Sequence, residues 1–309
     1  MSESSCFFSK YKGYIYIILG VFTWSFSEIT VKLTQSTVGP YALSFFRFFI
    51  GGLFLFVILC FKKDIGGTKS IISNNFLLFV ISSFIGLGIS NVIYYVGISQ
   101  TQANIGSAIY TSYPIYISIY SIFLLNERSN LKLKAIGYVL GFIGVIILVT
   151  EFNFQGLVSV EYLIGNLMVL LGSVIWSVFS VLSKKIMIKE EETSNVNLKV
   201  NMLSFLFAAI PTFVILLFTD EFSYFLQYDL ASWFIIFFLG IVSTALGLYI
   251  FFVGIENIEM SKGISLAYLK PVFTTILAFF ILSELPTMAL FLSIPIIFLS
   301  IYLINRKND

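Results

Sequence analysis

The sequence predicts an all-α integral membrane protein whose ten transmembrane helices form two inverted five-helix repeats, and three observations carry that prediction. With 58% hydrophobic and 11% charged residues among 309, the chain has too little polar surface to solvate a globule of its size. Apolar runs of about 16–22 residues, each close to the ~20 that cross ~30 Å of hydrocarbon, occur ten times. One helical unit also recurs. Gly106, Pro114, Leu125 and Glu127 return 157 positions later as Gly263, Pro271, Leu282 and Glu284, and Val96, Gly97 and Ile98 return at the same offset as Val253, Gly254 and Ile255.

In order, the expected spans are residues 14–33, 41–61, 76–97, 105–125, 135–149, 162–183, 200–218, 232–253, 263–282 and 288–304. The first has no small-residue cleavage site after it and is too long for a signal peptide, so a retained span is expected. The fifth spaces Gly137, Gly141 and Gly144 for close packing on a neighbour. The longest connection, 184–199, carries Lys184, Lys185, Lys189 and the run Glu190, Glu191, Glu192, the pattern of a solvated turn.

Basic residues set the orientation. Lys10 and Lys12, then Lys62, Lys63 and Lys69, then Arg128, Lys132 and Lys134, the sixth-to-seventh connection, Lys262, and finally Arg306 and Lys307 all fall on one side. The connections 34–40, 99–104, 150–161, 219–231 and 283–287 contain no Lys or Arg. This division expects both termini in the cytoplasm of a cell-membrane protein, and it requires an even number of spans. The expected organisation is a tail (1–12), a first repeat (13–150), a second repeat (151–305) that enters the membrane from the opposite side, and a short C-terminal tail (306–309).

At an offset of 152, Gly13, Leu19, Gly20, Trp24, Ser25 and Lys32 meet Gly165, Leu171, Gly172, Trp176, Ser177 and Lys184, and Arg47 meets Lys199. Inverted repeats of this kind are a transporter signature, with the site near the midplane between the halves. Other classes lose support. The chain has no histidine, which removes a histidine metal site, base or proton relay. Cys6 and Cys60 carry no ligand spacing and predict no disulfide. An intramembrane enzyme would need a nucleophile–base pair or metal ligands inside spans, so neither an enzyme nor a cofactor is expected. The GxxxxGK[ST] loop of nucleotide-driven pumps is missing. A formal charge of +2 gives no reason to expect nucleic acid. A fixed channel suits central prolines less well than rocking halves do.

The pattern resembles the EamA-type branch of the drug/metabolite transporter superfamily over essentially the whole chain. The residues that carry the likeness are Trp24-Ser25 and Trp176-Ser177, the basic Arg47 in the second helix, and Pro114 with Glu127 and Pro271 with Glu284. The resemblance implies a ten-helix carrier of small metabolites working by alternating access. It leaves open which of amino acids, nucleoside-like compounds, amines or drugs is moved. Glu28 and Lys270 depart from the pattern.

Few ionisable groups lie within spans. A Lys at bilayer depth costs roughly 2.5–3.5 kcal/mol, so Lys270 is expected to face a cavity or a counter-charge. Pro271 beside it removes a backbone donor and marks a helix bend, as Pro114 does in the first copy. Lys270 is read as an anion contact, or alternatively as pairing with Glu28 or a carbonyl to hold the halves together. Glu28 is read as a proton-coupling carboxylate or a contact for a cationic substrate group, or as neutralised by Lys32 one turn on. Trp24, Trp176, Tyr94, Tyr95, Tyr110, Tyr113, Tyr116, Tyr120 and Tyr268 form an aromatic set that either packs or lines a pocket. Asn91 offers a substrate contact or a helix-to-helix hydrogen bond. Arg47 is expected to snorkel or to bond a helix end, and Glu127 and Glu284 to cap or tether connections. The function expected is secondary transport of small charged organic metabolites, amino acids or related zwitterions and anions foremost, with protons as the coupling ion and the protein monomeric or homodimeric in its bilayer. The alternative is efflux of hydrophobic cations, for which Glu28 would have to be free and Lys270 neutralised or swung away.

Overall fold

In hydrocarbon every backbone N–H and C=O must be satisfied within the protein, and the apolar runs accordingly fold as helices. The structure is a computed structural model that describes residues 3–34, 37–283 and 285–306; the side chains of 3–10, 28, 31–34, 103–104, 156, 158 and 282 lie outside the description. The main elements are α1 (Glu3–Thr34), α2 (Pro40–Phe61), α3 (Thr68–Ser99), α4 (Ala103–Tyr110), α5 (Tyr113–Leu124), α6 (Leu131–Thr150), α7 (Leu163–Lys189), α8 (Val196–Leu217), α9 (Leu230–Gly254), α10 (Met260–Ile264), α11 (Leu269–Leu282) and α12 (Met288–Asn305). There is no strand among the described residues. Among the described residues, eight helical segments are long and apolar enough to cross a membrane: α2, α3, α6, the stretch Val160–Lys189 that contains α7, α8, α9, the stretch Met260–Ile281, and α12. The first expected span falls within α1. The fourth is divided between α4 and α5.

The two halves share their irregularities. A π-helical segment interrupts α3 at Val80–Ile89 and α9 at Leu239–Leu246. Helix α4 stops before Thr111 and Ser112, and α5 restarts with Pro114 in its first two positions. In the second half a 3-10 turn, Ser265–Tyr268, separates α10 from α11, whose third residue is Pro271. Both expected bends are therefore breaks immediately before the proline, where its missing N–H is least costly.

Packing follows the same exchange. Helix α1 packs on α9 as α7 packs on α3, and α1 on α11 as α7 on α5, while α2 meets α8 and α6 meets α12. Glycines set the closest of these approaches. A Cβ on Gly13 would lie 2.7 Å from the Gly254 carbonyl oxygen, and one on Gly165 would lie 2.9 Å from that of Gly97. Gly137, Gly141 and Gly144 lie against Ser300, Ile304, Ile297 and the Tyr268 ring, so the small face of α6 seats α12 as expected. The Ser of each Trp-Ser pair ties its helix to the opposite break: Ser25 Oγ is 3.2 Å from the Lys270 carbonyl oxygen, and Ser177 Oγ is 3.2 Å from that of Tyr113.

Two expectations change. Only residues 190–195, with Glu190, Glu191 and Glu192, form the expected solvated turn, because α7 runs on to Lys189 and α8 begins at Val196, burying Lys184 and Lys199. Polar partners on neighbouring segments let these helices extend beyond their apolar cores. Nor does Arg47 correspond to Lys199. Lys199 lies in the first turn of α8 and Arg47 lies two turns into α2, since the helix starts are offset by 156 rather than 152.

Candidate functional site

Between the halves, at the level of both helix breaks, lies a cavity of about 520 Å³. Trp24 of α1 and Trp176 of α7, the two copies of one motif, meet edge to face with centroids 6.3 Å apart. Tyr113 packs on Trp176 at 4.8 Å, and Tyr94 lies 4.1 Å from Tyr110; all five rings line the cavity. Lys270, Pro271, Thr274 and Thr275 of α11 line the cavity as well. The exposed Glu151 and Leu285, with Thr287, form a mouth on the side whose connections lack Lys and Arg. Below the tryptophans the buried rings of Phe179, Phe251 and Phe252 make a floor.

Arg47 and Asn91 are placed differently from expectation. Arg47 bonds no helix end; it lines the cavity, donating from Nε to Thr244 Oγ1 (3.2 Å) and from a terminal nitrogen to Tyr95 Oη (2.8 Å). Among the described residues Asn91 makes no bond to another helix: it is buried in the cavity wall, and its Oδ1 has no hydrogen-bond partner there. Among the expected rings, Tyr268 is wholly buried, its hydroxyl donating to the Tyr138 carbonyl, and Tyr116 and Tyr120 lie outside the cavity. The break at Thr111–Ser112 interrupts the helical face that an unbroken helix would give Tyr110 and Tyr120 in common. The side chains of Glu28 and Lys32 and all of Glu284 lie outside the described residues.

Beyond the floor, the basic face is closed by paired charges. Glu127 accepts from the Met260 N–H (2.6 Å), the Ser261 N–H (2.9 Å), the Ser261 hydroxyl (2.8 Å) and Lys184 Nζ (3.5 Å), so it tethers the end of α5 to the start of α10. Lys184 also donates to the Ile258 carbonyl, and Tyr138 to that of Ser261. Lys134 reaches Glu259 at 2.6 Å and Ser261 Oγ at 2.8 Å. Burial pushes the Glu259 carboxyl up, but hydrogen bonds from Lys134, Ser129 and Lys262 outweigh it and hold the group down to about 2. Asp64 is held down to about 2 by hydrogen bonds from Lys199, Asn195 and Ser194.

A chamber between two exchangeable sets of helices, open on one face and tied shut on the other, defines a membrane carrier in class. The model of the EamA-like transporter family matches residues 11–150 and 163–306, and the chain belongs to that family. It is thus a multi-pass membrane transporter and not an enzyme, with a small-molecule substrate and the lipid bilayer as its surroundings. Similar proteins include the uncharacterized transporter YyaM of Bacillus subtilis (strain 168), 25% identical over 86% of this chain and 85% of that one. An uncharacterized transporter of Archaeoglobus fulgidus is 20% identical over 96% and 98% of the two chains. A crystal structure superposes with a TM-score of 0.78 at 20% identity over 95% of this chain and 96% of its own, a likeness of fold.

Proposed function

We propose that this transporter moves small charged organic metabolites, amino acids or related zwitterions foremost, by alternating access through ten spans in two inverted repeats, residues 13–150 and 151–305. The observation that carries the reading is the cavity between the halves, whose described charged lining groups are Arg47 and Lys270 inside and Glu151 at the mouth. A cationic interior with aromatic walls suits a solute that has both an anionic group and apolar surface, and it opposes a hydrophobic cation. Lys270 contacts the anionic group, with Tyr113, Tyr110, Tyr94, Trp24, Trp176 and Asn91 around the solute. Glu28 on α1 carries the coupling proton.

The sharing of Lys and Arg between the two faces supports a cell-membrane orientation with the closed face and both termini in the cytoplasm, the cavity opening outward. The exchanged packing of the halves and the paired breaks support rocking about the α2–α8 and α6–α12 contacts. The carrier works as a monomer or homodimer. Uptake of labelled amino acids, organic acids and amines into proteoliposomes tests the reading. Lys270→Ala and Lys270→Met should each abolish uptake of the carboxylate-bearing solute, and normal uptake by both would overturn the anion contact. Glu28→Gln should flatten the pH dependence of uptake; an unchanged profile would remove proton coupling.

A further inference from the structure

We infer that Arg47 and Asn91 form a subsite that reads the carboxylate and the ammonium of a zwitterionic amino compound. The inference rests on the proposal that the cavity is the substrate site, and it assigns the two charges of the solute to particular residues. Arg47 bridges the halves: Tyr95 on α3 accepts one of its N–H groups and Thr244 on α9 another. Thr244 lies in the π-helical segment, and its hydroxyl donates to the Leu239 carbonyl (2.9 Å), which leaves an oxygen lone pair for the guanidinium. Both acceptors are neutral, and the ring of Phe48, 5.3 Å from the guanidinium carbon, is neutral as well. A guanidinium has five N–H donors, and these two bonds leave three. An intramembrane arginine held in place by neutral groups on a cavity wall is matched to an anion that comes and goes.

Asn91 supplies the second half. It lies four residues before Tyr95 on α3, hence on the same face and about 6 Å along the axis. Its buried Oδ1 lacks a donor, an arrangement that native interiors rarely leave unfilled. A carboxylate on Arg47 puts the ammonium of the same small molecule beside the Asn91 amide in the cavity wall, whose Oδ1 turns toward it to accept. The paired rings of Tyr94 and Tyr110 beside it receive an apolar side chain. A dianion would satisfy Arg47 and leave Asn91 unmet, and an amine without a carboxylate would meet the guanidinium charge.

The test is a thermal-shift titration of the purified full chain with the twenty L-amino acids, succinate and tetraethylammonium. For the strongest amino acid, its amide, which lacks the carboxylate, and its N-acetyl form, which lacks the ammonium, are added. Wild type should bind the amino acid about 30-fold more tightly than either derivative, as expected for losing one charge-assisted contact. Arg47→Gln should cut the acid-over-amide preference several-fold, Lys270 keeping the remainder, and Asn91→Leu should bind free and N-acetyl forms alike. Tyr95→Phe keeps the charge but frees the guanidinium, so it should weaken the acid several-fold even if Arg47→Gln fails to fold. The inference is overturned if these variants keep the wild-type ratios. It is also overturned if succinate or tetraethylammonium stabilises the protein and no amino acid does, an outcome that leaves the cavity as a binding site. Silence across all three classes would overturn the subsite and the cavity reading together.

Discussion

At the basic face Lys134, Lys184 and Lys199 are buried and each reaches a carboxylate, Glu259, Glu127 and Asp64 respectively. In the cavity Arg47 reaches two hydroxyls. The same kind of group thus serves two ends. A lysine with a permanent acid partner closes one face of the molecule. A guanidinium whose partners are neutral is held in position with its charge still available. The contrast also accounts for the asymmetry of the chamber, since the closed end lies where the fixed pairs are and the mouth lies where the connections carry no basic residue.

The contrast can be broken most sharply from the closed side. Removing one partner of a buried pair strands the other, so Lys184→Met and Glu127→Ala should each cost about 3–5 kcal/mol. Both should lower the melting temperature of the purified protein, and Glu127→Ala additionally exposes the Met260 and Ser261 N–H groups. Arg47→Met, by contrast, removes a charge with no acid partner among the described residues, and it should leave the ligand-free stability within about 1 kcal/mol of wild type. Equal losses at Lys184 and Arg47 would erase the distinction between the two regions.

Backbone contacts between helices come next. Gly13→Ala drives a methyl into the Gly254 carbonyl and Gly165→Ala drives one into the Gln100 and Gly97 carbonyls, so each should cost about 1–3 kcal/mol, Gly165→Ala the more. A larger loss at Gly13 would overturn that ranking of the two contacts.

Acid should loosen the closed face selectively. Folded Glu259 and Asp64 titrate near 2, below their ordinary values of 4.5 and 3.8. Their stabilisation is complete above the ordinary values and is lost as pH falls from there toward 2. Melting temperatures taken between pH 5.5 and 2.5 should fall across that window, and Lys134→Met should fall less. The smallest expected effect is at the helix ties. Ser25→Ala and Ser177→Ala each remove one hydroxyl near a carbonyl beside a break, at about 1 kcal/mol apiece by denaturation.

Several elements were legible because membrane physics writes them into composition and spacing. The apolar runs, the recurrence of Pro114 at Pro271 and the position of Lys270 on a cavity wall follow from the cost of leaving backbone or charge in hydrocarbon. The two Trp-Ser pairs were legible as a repeat, and the carbonyls their serines approach were not. Arg47 was misjudged because its partners lie 48 and 197 residues away in sequence. Lys184 and Lys199 resembled a solvated run because nothing nearby in sequence announces Glu127 or Asp64.

By itself the chain's order of apolar and charged residues determined that it is helical, that it lives in a bilayer, which of its faces is basic and where two helices must break. Tertiary structure alone decided which buried cations are spent on closing one face and which remains on offer in the chamber. Solvation acts on each segment separately and can be read locally, whereas a charge acquires its partner only when distant helices are brought side by side.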